Sequence, residues 1–258
     1  MLTFGAAVFR YHQFVDGDLL PPGASLLGVT SDPDEATRAG MGVLHVGDPS
    51  DAMERVAAAV DERPAGGDRW EPLAIERDSE GSAPFSASQI LDIVDHAKPD
   101  DSVIFLEWTS ADALWWRLSV DRPRSYFFPA SGGLGWGLPA AIGAGMAVPG
   151  RPIIALIGDG AMQYTPAALW TAVKHAVPVT FVVCQNEEYG ALQRFASVME
   201  VPDAPYLDLP GLAPADIARG YGVEVLNVAD AADLADVVAG ASSATGPRLV
   251  VVPQSSSR

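Results

Sequence analysis

The sequence predicts an α/β protein: a doubly wound, mostly parallel sheet preceded by a partial second α/β domain. Three observations carry this. Short apolar runs of strand length recur along the chain, as at 152–157 and 178–184. Helix-length segments alternate with them, which is the pattern of strand–helix–strand units and so of parallel pairing. Between residues 63 and 84, Pro64, Gly66, Gly67, Pro72, Gly81 and Pro84 stand among charges. Such a stretch punctuates structure, and it divides the chain into a partial domain at 1–62, a linker at 63–84 and a larger domain at 85–258.

In the first part, strands are expected at 2–8, 25–30 and 43–46 with helices between them, and apolar residues recur at helical spacing over 51–60. In the second part, 86–97 reads as a helix and 102–107 as a buried strand. Residues 111–118 continue as a helix, and 138–147 is a helix of small residues able to pack closely. Strand 152–157, helix 164–175 and strand 178–184 follow. Helices at 213–220 and 231–243, with strands at 224–228 and 248–252, complete the series.

Composition narrows the function. Of 258 residues, 33 are acidic and 16 basic, a formal charge of −17. Phosphate backbones are held by clustered Lys and Arg, so nucleic acid is excluded as a partner, and anionic membrane surfaces are disfavoured. No apolar run reaches membrane-spanning length and no basic, cleavable leader starts the chain, so a cytoplasmic location is expected. Cys184 is the single cysteine. It rules out an internal disulfide and, within an apolar strand, is expected to be a buried, inert thiol.

The chemistry-bearing residues lie at strand ends. Gly158-Asp159-Gly160 closes strand 152–157, and Gln185-Asn186 closes strand 178–184. A right-handed crossover brings both ends to one edge of the sheet, where open α/β sheets bind ligands. A carboxylate and an amide oxygen meeting there suit a hard dication that carries a phosphate ligand. Taken alone, Gly-Asp-Gly also reads as a turn in which Asp caps a helix.

With that spacing, the segment from Gly158 to Ala172, continuing through Asn186-Glu-Glu-Tyr-Gly-Ala-Leu-Gln-Arg-Phe195, resembles the thiamine-diphosphate-dependent enzymes, and the benzoylformate decarboxylase branch in particular. Ala7-Val-Phe-Arg-Tyr-His-Gln-Phe14 and Ser131-Gly-Gly-Leu-Gly-Trp-Gly-Leu-Pro-Ala-Ala-Ile-Gly143 resemble the same branch. The resemblance implies thiamine diphosphate and Mg2+ as cofactors. Asp159, Asn186 and the main-chain carbonyl of Glu188 would hold the metal. Gly158 and Gly160 would leave room for backbone to approach the diphosphate, with the helix that follows them presenting its N-terminus to it, and Tyr189 and Gly190 would also bind the cofactor. Gly132, Gly133 and Leu134 would cradle the middle of the cofactor. There Leu134 would be the wedge that bends it, or else plain core.

The resemblance further implies that His12 faces the active site and takes part in proton transfer. It places Phe128, Leu192 and Phe195 around an aromatic substrate pocket, unless they are core, with Trp108, Trp115 and Trp116 near enough to narrow it. Thr109 and Ser110 either bond the diphosphate or cap a helix. His45, His96 and His175 are expected at the surface or in packing. Two features depart from the family pattern: Gln185 replaces an asparagine, and Glu187-Glu188 replaces small neutral residues. Both carboxylates are tolerable if they point to water or attract a second cation.

The family's activating glutamate beside the pyrimidine ring lies in an N-terminal domain with no counterpart in these residues. The resemblance therefore implies a separate pyrimidine-domain subunit and a hetero-oligomer acting on a 2-oxo acid or aldehyde, by decarboxylation or carboligation. The rival expectation is a non-catalytic regulatory subunit or a truncated, inactive homologue.

Overall fold

The computed structural model describes residues 1–6, 17, 19–62, 75–129 and 132–256. Every strand pairing within its sheets is parallel. The chain divides into two compact units, Met1–Pro72 and Leu73–Arg258.

In the first unit, β1 (Leu2–Phe4), β2 (Leu27–Thr30) and β3 (Val43–Val46) pair in that order. Two helices connect and follow them, α1 (Pro33–Arg38) and α2 (Pro49–Ala59). Each starts at an aspartate followed by proline. Asp32 accepts the N–H of Asp34, and Asp48 those of Ser50 and Asp51. Such capping satisfies amides that have no partner inside the helix. Leu2, Leu27, Val43 and Val46 remain exposed.

The second unit opens with α3 (Ala87–Ala97), β4 (Val103–Glu107), a 3-10 helix (Thr109–Arg117), β5 (Tyr126–Phe127), α4 (Gly137–Ala147) and β6 (Ile153–Gly158). It continues through α5 (Asp159–Met162), α6 (Ala168–Lys174), β7 (Val179–Gln185), α7 (Gly190–Val198) and α8 (Pro214–Tyr221). Last come β8 (Glu224–Leu226), α9 (Ala231–Ala239), a second 3-10 helix (Gly240–Ser243) and β9 (Arg248–Pro253). The strands lie in the order β5-β4-β6-β7-β9-β8.

Side chains alternate across this sheet because successive residues of a strand point to opposite faces. Val103, Phe105, Ala155, Ile157, Phe181 and Leu249 meet α4, α6 and α8 on one face. Ile104, Leu106, Ile154, Leu156, Val182 and Val250 meet α3 and α9 on the other. Both faces are covered, which is why the strands read as unbroken apolar runs. On α3, Ser86 and Gln89 form a reciprocal capping box. Asp92 is buried and takes two bonds from Arg117 Nη1, at 2.7 and 2.6 Å, and one from the N–H of Asp78 at 2.9 Å. This pins the end of the first 3-10 helix and the 76–78 segment to α3.

Three expected elements change form. The helix expected at 231–243 is α-helical over Ala231–Ala239 and continues as the second 3-10 helix, Gly240–Ser243. The helix expected at 164–175 is confined to Ala168–Lys174, after the single turn of α5. Pro166 accounts for this, since proline biases the residue before it away from helical geometry. The helix expected at 111–118 is a 3-10 helix starting at Thr109. Its N-cap, Trp108, has no side-chain oxygen and makes no capping bond, and a first turn left uncapped tightens readily into 3-10 geometry.

Candidate functional site

The chain leaves β4 for β5 at one edge and returns to β6 on the other side of β4. Connections diverging in this way open a crevice at the C-terminal strand ends. Three strand tips border it: Glu107 to Ser110 after β4, Gly158 to Gly160 after β6, and Gln185 to Asn186 after β7.

Asp159 is only 2% exposed. Its Oδ1 accepts the N–H of Gly160 at 2.8 Å, and its Oδ2 accepts the N–H of Glu187 at 2.9 Å. The first residue of α5 is Asp159 itself, with Gly158 as the N-cap, so its side chain does not serve as a capping residue. Among the described residues no cationic side chain forms an ion pair with it. Burial pushes its carboxyl above the ordinary range, against the lowering by the Glu187 and Gly160 N–H groups. A buried carboxylate without a counterion is costly, and a bound dication removes that cost. The position of Asp159 therefore fits a metal.

The tip of β7 is held by the segment that follows α7. The carbonyl of Glu187 accepts the N–H of Leu209 at 2.7 Å, and the N–H of Tyr189 donates to Leu207 O at 2.8 Å. Glu187 takes a left-handed φ of 57°. Asn186 Oδ1 accepts the N–H of Glu188, and Asn186 Nδ2 donates to Glu188 Oε1, both at 3.4 Å. The two glutamates part company here. Glu187 is exposed, whereas Glu188 is buried and accepts Ser256 Oγ at 3.2 Å. Pointing to water thus describes Glu187 alone. Gln185 Nε2 donates to Leu212 O at 3.0 Å, away from Asn186. Tyr189 lies against Gly160, where an added Cβ would come within 3.3 Å of its ring. Gly190 is buried at the start of α7. Among the described residues no cluster of three His, Cys, Asp or Glu is able to hold a metal; an Asp, Asn and carbonyl set falls outside that description.

Gly132 and Gly133 are exposed, with Gly132 at φ 74°. Leu134 is half-buried and packs against the core on the α4 face. Glu107 was not among the residues singled out from sequence. It is 2% exposed and its two carboxylate oxygens accept the N–H groups of Gly135 and Gly137. Burial raises its pKa, against lowering by those N–H groups and that of Trp136. The signal available was a single charge ending an otherwise apolar strand at the ligand edge.

Thr109 and Ser110 are half-buried at the start of the 3-10 helix, and neither is its N-cap. Phe128, Leu192 and Phe195 are 48%, 53% and 37% exposed, which removes the core reading for all three. Trp108 is core instead: it is buried and its Nε1 donates to Gln254 Oε1 at 3.1 Å. Trp115 and Trp116 are exposed. The Tyr126 ring lies 6.2 Å from Trp115 and 6.1 Å from Phe128, so these aromatics form one surface. His12 lies outside the described residues. His45, His96 and His175 are exposed. Cys184 is buried, and burial pushes its thiol well up.

Residues 110–252 match the profile of the thiamine pyrophosphate enzyme C-terminal TPP binding domain. The chain is 47% identical to benzoylformate decarboxylase of Pseudomonas aeruginosa over 257 residues, 98% of this chain and 48% of that protein. A solved thiamine diphosphate-dependent 4-hydroxybenzoylformate decarboxylase from Rhodococcus jostii RHA1 is 39% identical with a TM-score of 0.85, covering 99% of this chain and 48% of that one. The benzoylformate decarboxylase structure from Polynucleobacter necessarius is 32% identical with a TM-score of 0.88, covering 98% and 49%. The chain thus spans about half the length of these relatives.

Proposed function

Since this chain belongs to the thiamine pyrophosphate enzyme family, we propose that it forms the diphosphate-binding half of a 2-oxo acid decarboxylase or carboligase of benzoylformate decarboxylase type. The observation that carries this is the buried Asp159 carboxylate, bonded to the β7 tip through Glu187 N–H and lacking a cationic partner among the described residues.

In this reading Asp159, Asn186 and the Glu188 carbonyl hold Mg2+. Thr109, Ser110, Gly158, Gly160, Tyr189 and Gly190 surround the diphosphate, and Gly132, Gly133 and Leu134 hold the middle of the cofactor. Thiamine diphosphate, when bound, supplies a nucleophilic carbon and a sink for the electrons released with carbon dioxide. The chain's own residues bind, orient and exclude water. His12 moves a proton, and the exposed Phe128, Leu192 and Phe195 take an apolar, aromatic end of the substrate. A separate pyrimidine-domain subunit supplies the activating glutamate, giving a hetero-oligomer. Among the described residues no helix is long and apolar enough to cross a membrane.

One observation favours the non-catalytic reading. The Glu188 side chain is buried beside Asn186, where the resemblance expects a small neutral residue. Calorimetry together with a turnover assay separates the two. Mg2+-dependent binding of thiamine diphosphate to the purified chain, with carbon dioxide released from benzoylformate only on adding the pyrimidine-domain subunit, supports the enzyme. Cofactor binding without turnover in the assembled pair supports the regulatory subunit.

A further inference from the structure

We propose that Glu107 is the positioning residue of the Gly132–Trp136 loop, its carboxylate bridging the Gly135 and Gly137 amides and so fixing where Leu134 sits. The inference rests on reading the crevice as a thiamine diphosphate site, and it adds a residue to which no role has been given there.

The geometry is specific. Glu107 ends β4 at the border of the crevice, and each of its two oxygens takes one glycine N–H. The donors stand two residues apart, with Trp136 between them packing on the α4-face core. Gly135 has a φ of 92°, a conformation that L side chains rarely adopt. Its carbonyl accepts Thr165 Oγ1 at 3.0 Å, so the peptide groups on both sides of Gly135 are held. At Gly137 an added Cβ would stand 2.6 Å from Ile157 Cδ1 and 2.7 Å from Glu107 Oε2. The loop's exit is thus clamped, while at Gly132 an added Cβ would meet nothing within 4 Å. Leu134 therefore immediately precedes a segment held by the Glu107 carboxylate and the Thr165 hydroxyl.

The sequence supplies no ordinary substitute for that carboxylate. The N-cap of α4 is Trp136, which makes no side-chain capping bond. The first helical amide therefore takes its acceptor from the neighbouring strand. Once the carboxyl has ionised, its charge at that helix end is also favourable, and its bonds to the two amides are stronger than neutral ones. A glutamine in the same place presents one oxygen and one NH2 group, so it accepts from only one of the two glycines.

The test uses the whole chain labelled with 15N-glycine. In Glu107→Gln, the Gly135 and Gly137 resonances are expected to move, with hydrogen exchange at least tenfold faster at one of them and the Gly222 and Gly240 resonances unchanged. Affinity for thiamine diphosphate with Mg2+ is expected to fall at least tenfold by calorimetry. Unmoved glycine resonances, or moved resonances with unchanged affinity, overturn the proposal. Should the variant fail to fold, the wild-type chain decides. Gly135 and Gly137 exchanging at least tenfold more slowly than Gly133 supports the bridge, and exchange at the Gly133 rate overturns it. Failure of the wild-type chain to bind thiamine diphosphate at all, with the glycines still responding to Glu107→Gln, overturns the cofactor reading and leaves the bridge standing.

Discussion

The Asp159 carboxylate and the Glu187 main-chain N–H meet at 2.9 Å, although the two residues are 28 positions apart. The contact joins the tips of β6 and β7 and sets the Asn186–Glu187 peptide beside a buried acid. Asp159→Ala is expected to abolish Mg2+-dependent binding of thiamine diphosphate while the circular dichroism spectrum stays unchanged. Calorimetry of variant and wild type checks this, and equal affinities would remove Asp159 from the metal site.

Glu107 gives a pH dependence with a definite sign. Its folded pKa is raised above the ordinary value of 4.5, chiefly by burial. The native chain therefore keeps this proton at pH values where the unfolded chain has lost it. Stability from this group falls as pH rises from the ordinary glutamate range through the raised value. The urea midpoint of Glu107→Gln should lack that component, so the wild-type and variant midpoints diverge with pH across this window. Parallel profiles would contradict the raised pKa.

Gly137→Ala introduces a methyl group where Ile157 and Glu107 leave no room. Overpacking of this kind costs about 1–3 kcal/mol. Urea denaturation should show a lowered midpoint with an unchanged slope. At Gly143, on the same helix, an added Cβ meets nothing within 4 Å; Gly143→Ala is expected to leave the midpoint level or higher.

Arg117→Gln removes the main cationic partner of buried Asp92. Arg77 remains at 3.3 Å, with the Asp78 N–H at 2.9 Å, so the charge is only partly stranded. Breaking a buried pair costs about 3–5 kcal/mol, and the low end of that range is expected. Because Thr109 and Ser110 open the same 3-10 helix, hydrogen exchange over Thr109–Arg117 should accelerate as well.

Cys184 is expected to resist thiol reagents in the folded chain. Burial raises its pKa first, and the negative charge of Asp159 raises it further, so the reactive thiolate is scarce. A disulfide reagent should register no thiol near neutral pH and one thiol after unfolding in guanidinium. Fast labelling of the native protein would show the β7 tip opening.

Much of the larger unit was legible because its strands are buried on both faces. Such strands leave unbroken runs like 152–157, and two successive tips with Asp159 and Asn186 mark one sheet edge. Less legible were elements fixed by distant partners. β5 has only Tyr126 and Phe127 and exists by pairing with Ile104 and Phe105, too short to leave a periodic trace. The role of Glu107 depends on glycines 28 and 30 positions away, and composition does not reveal such a pairing. Trp108 is expected to narrow the substrate pocket because it stands near the same strand and helix as Trp115 and Trp116. It is core because Gln254, 146 positions on, supplies its hydrogen-bond acceptor. The different settings of Glu187 and Glu188 follow from the left-handed φ at Glu187, which adjacency in sequence does not predict.

β9 follows β8 in sequence but lies between β7 and β8 in the sheet. During synthesis both neighbours therefore wait with bare edges until Arg248–Pro253 has left the ribosome. Unpaired edges are templates for association with other chains, and exposed intermediates of this kind aggregate readily. A message ending before Arg248 yields a product open along its middle rather than one shortened at its margin. Recovery of folded protein should accordingly depend on synthesis continuing through Arg248–Pro253, the strand that closes the sheet between β7 and β8.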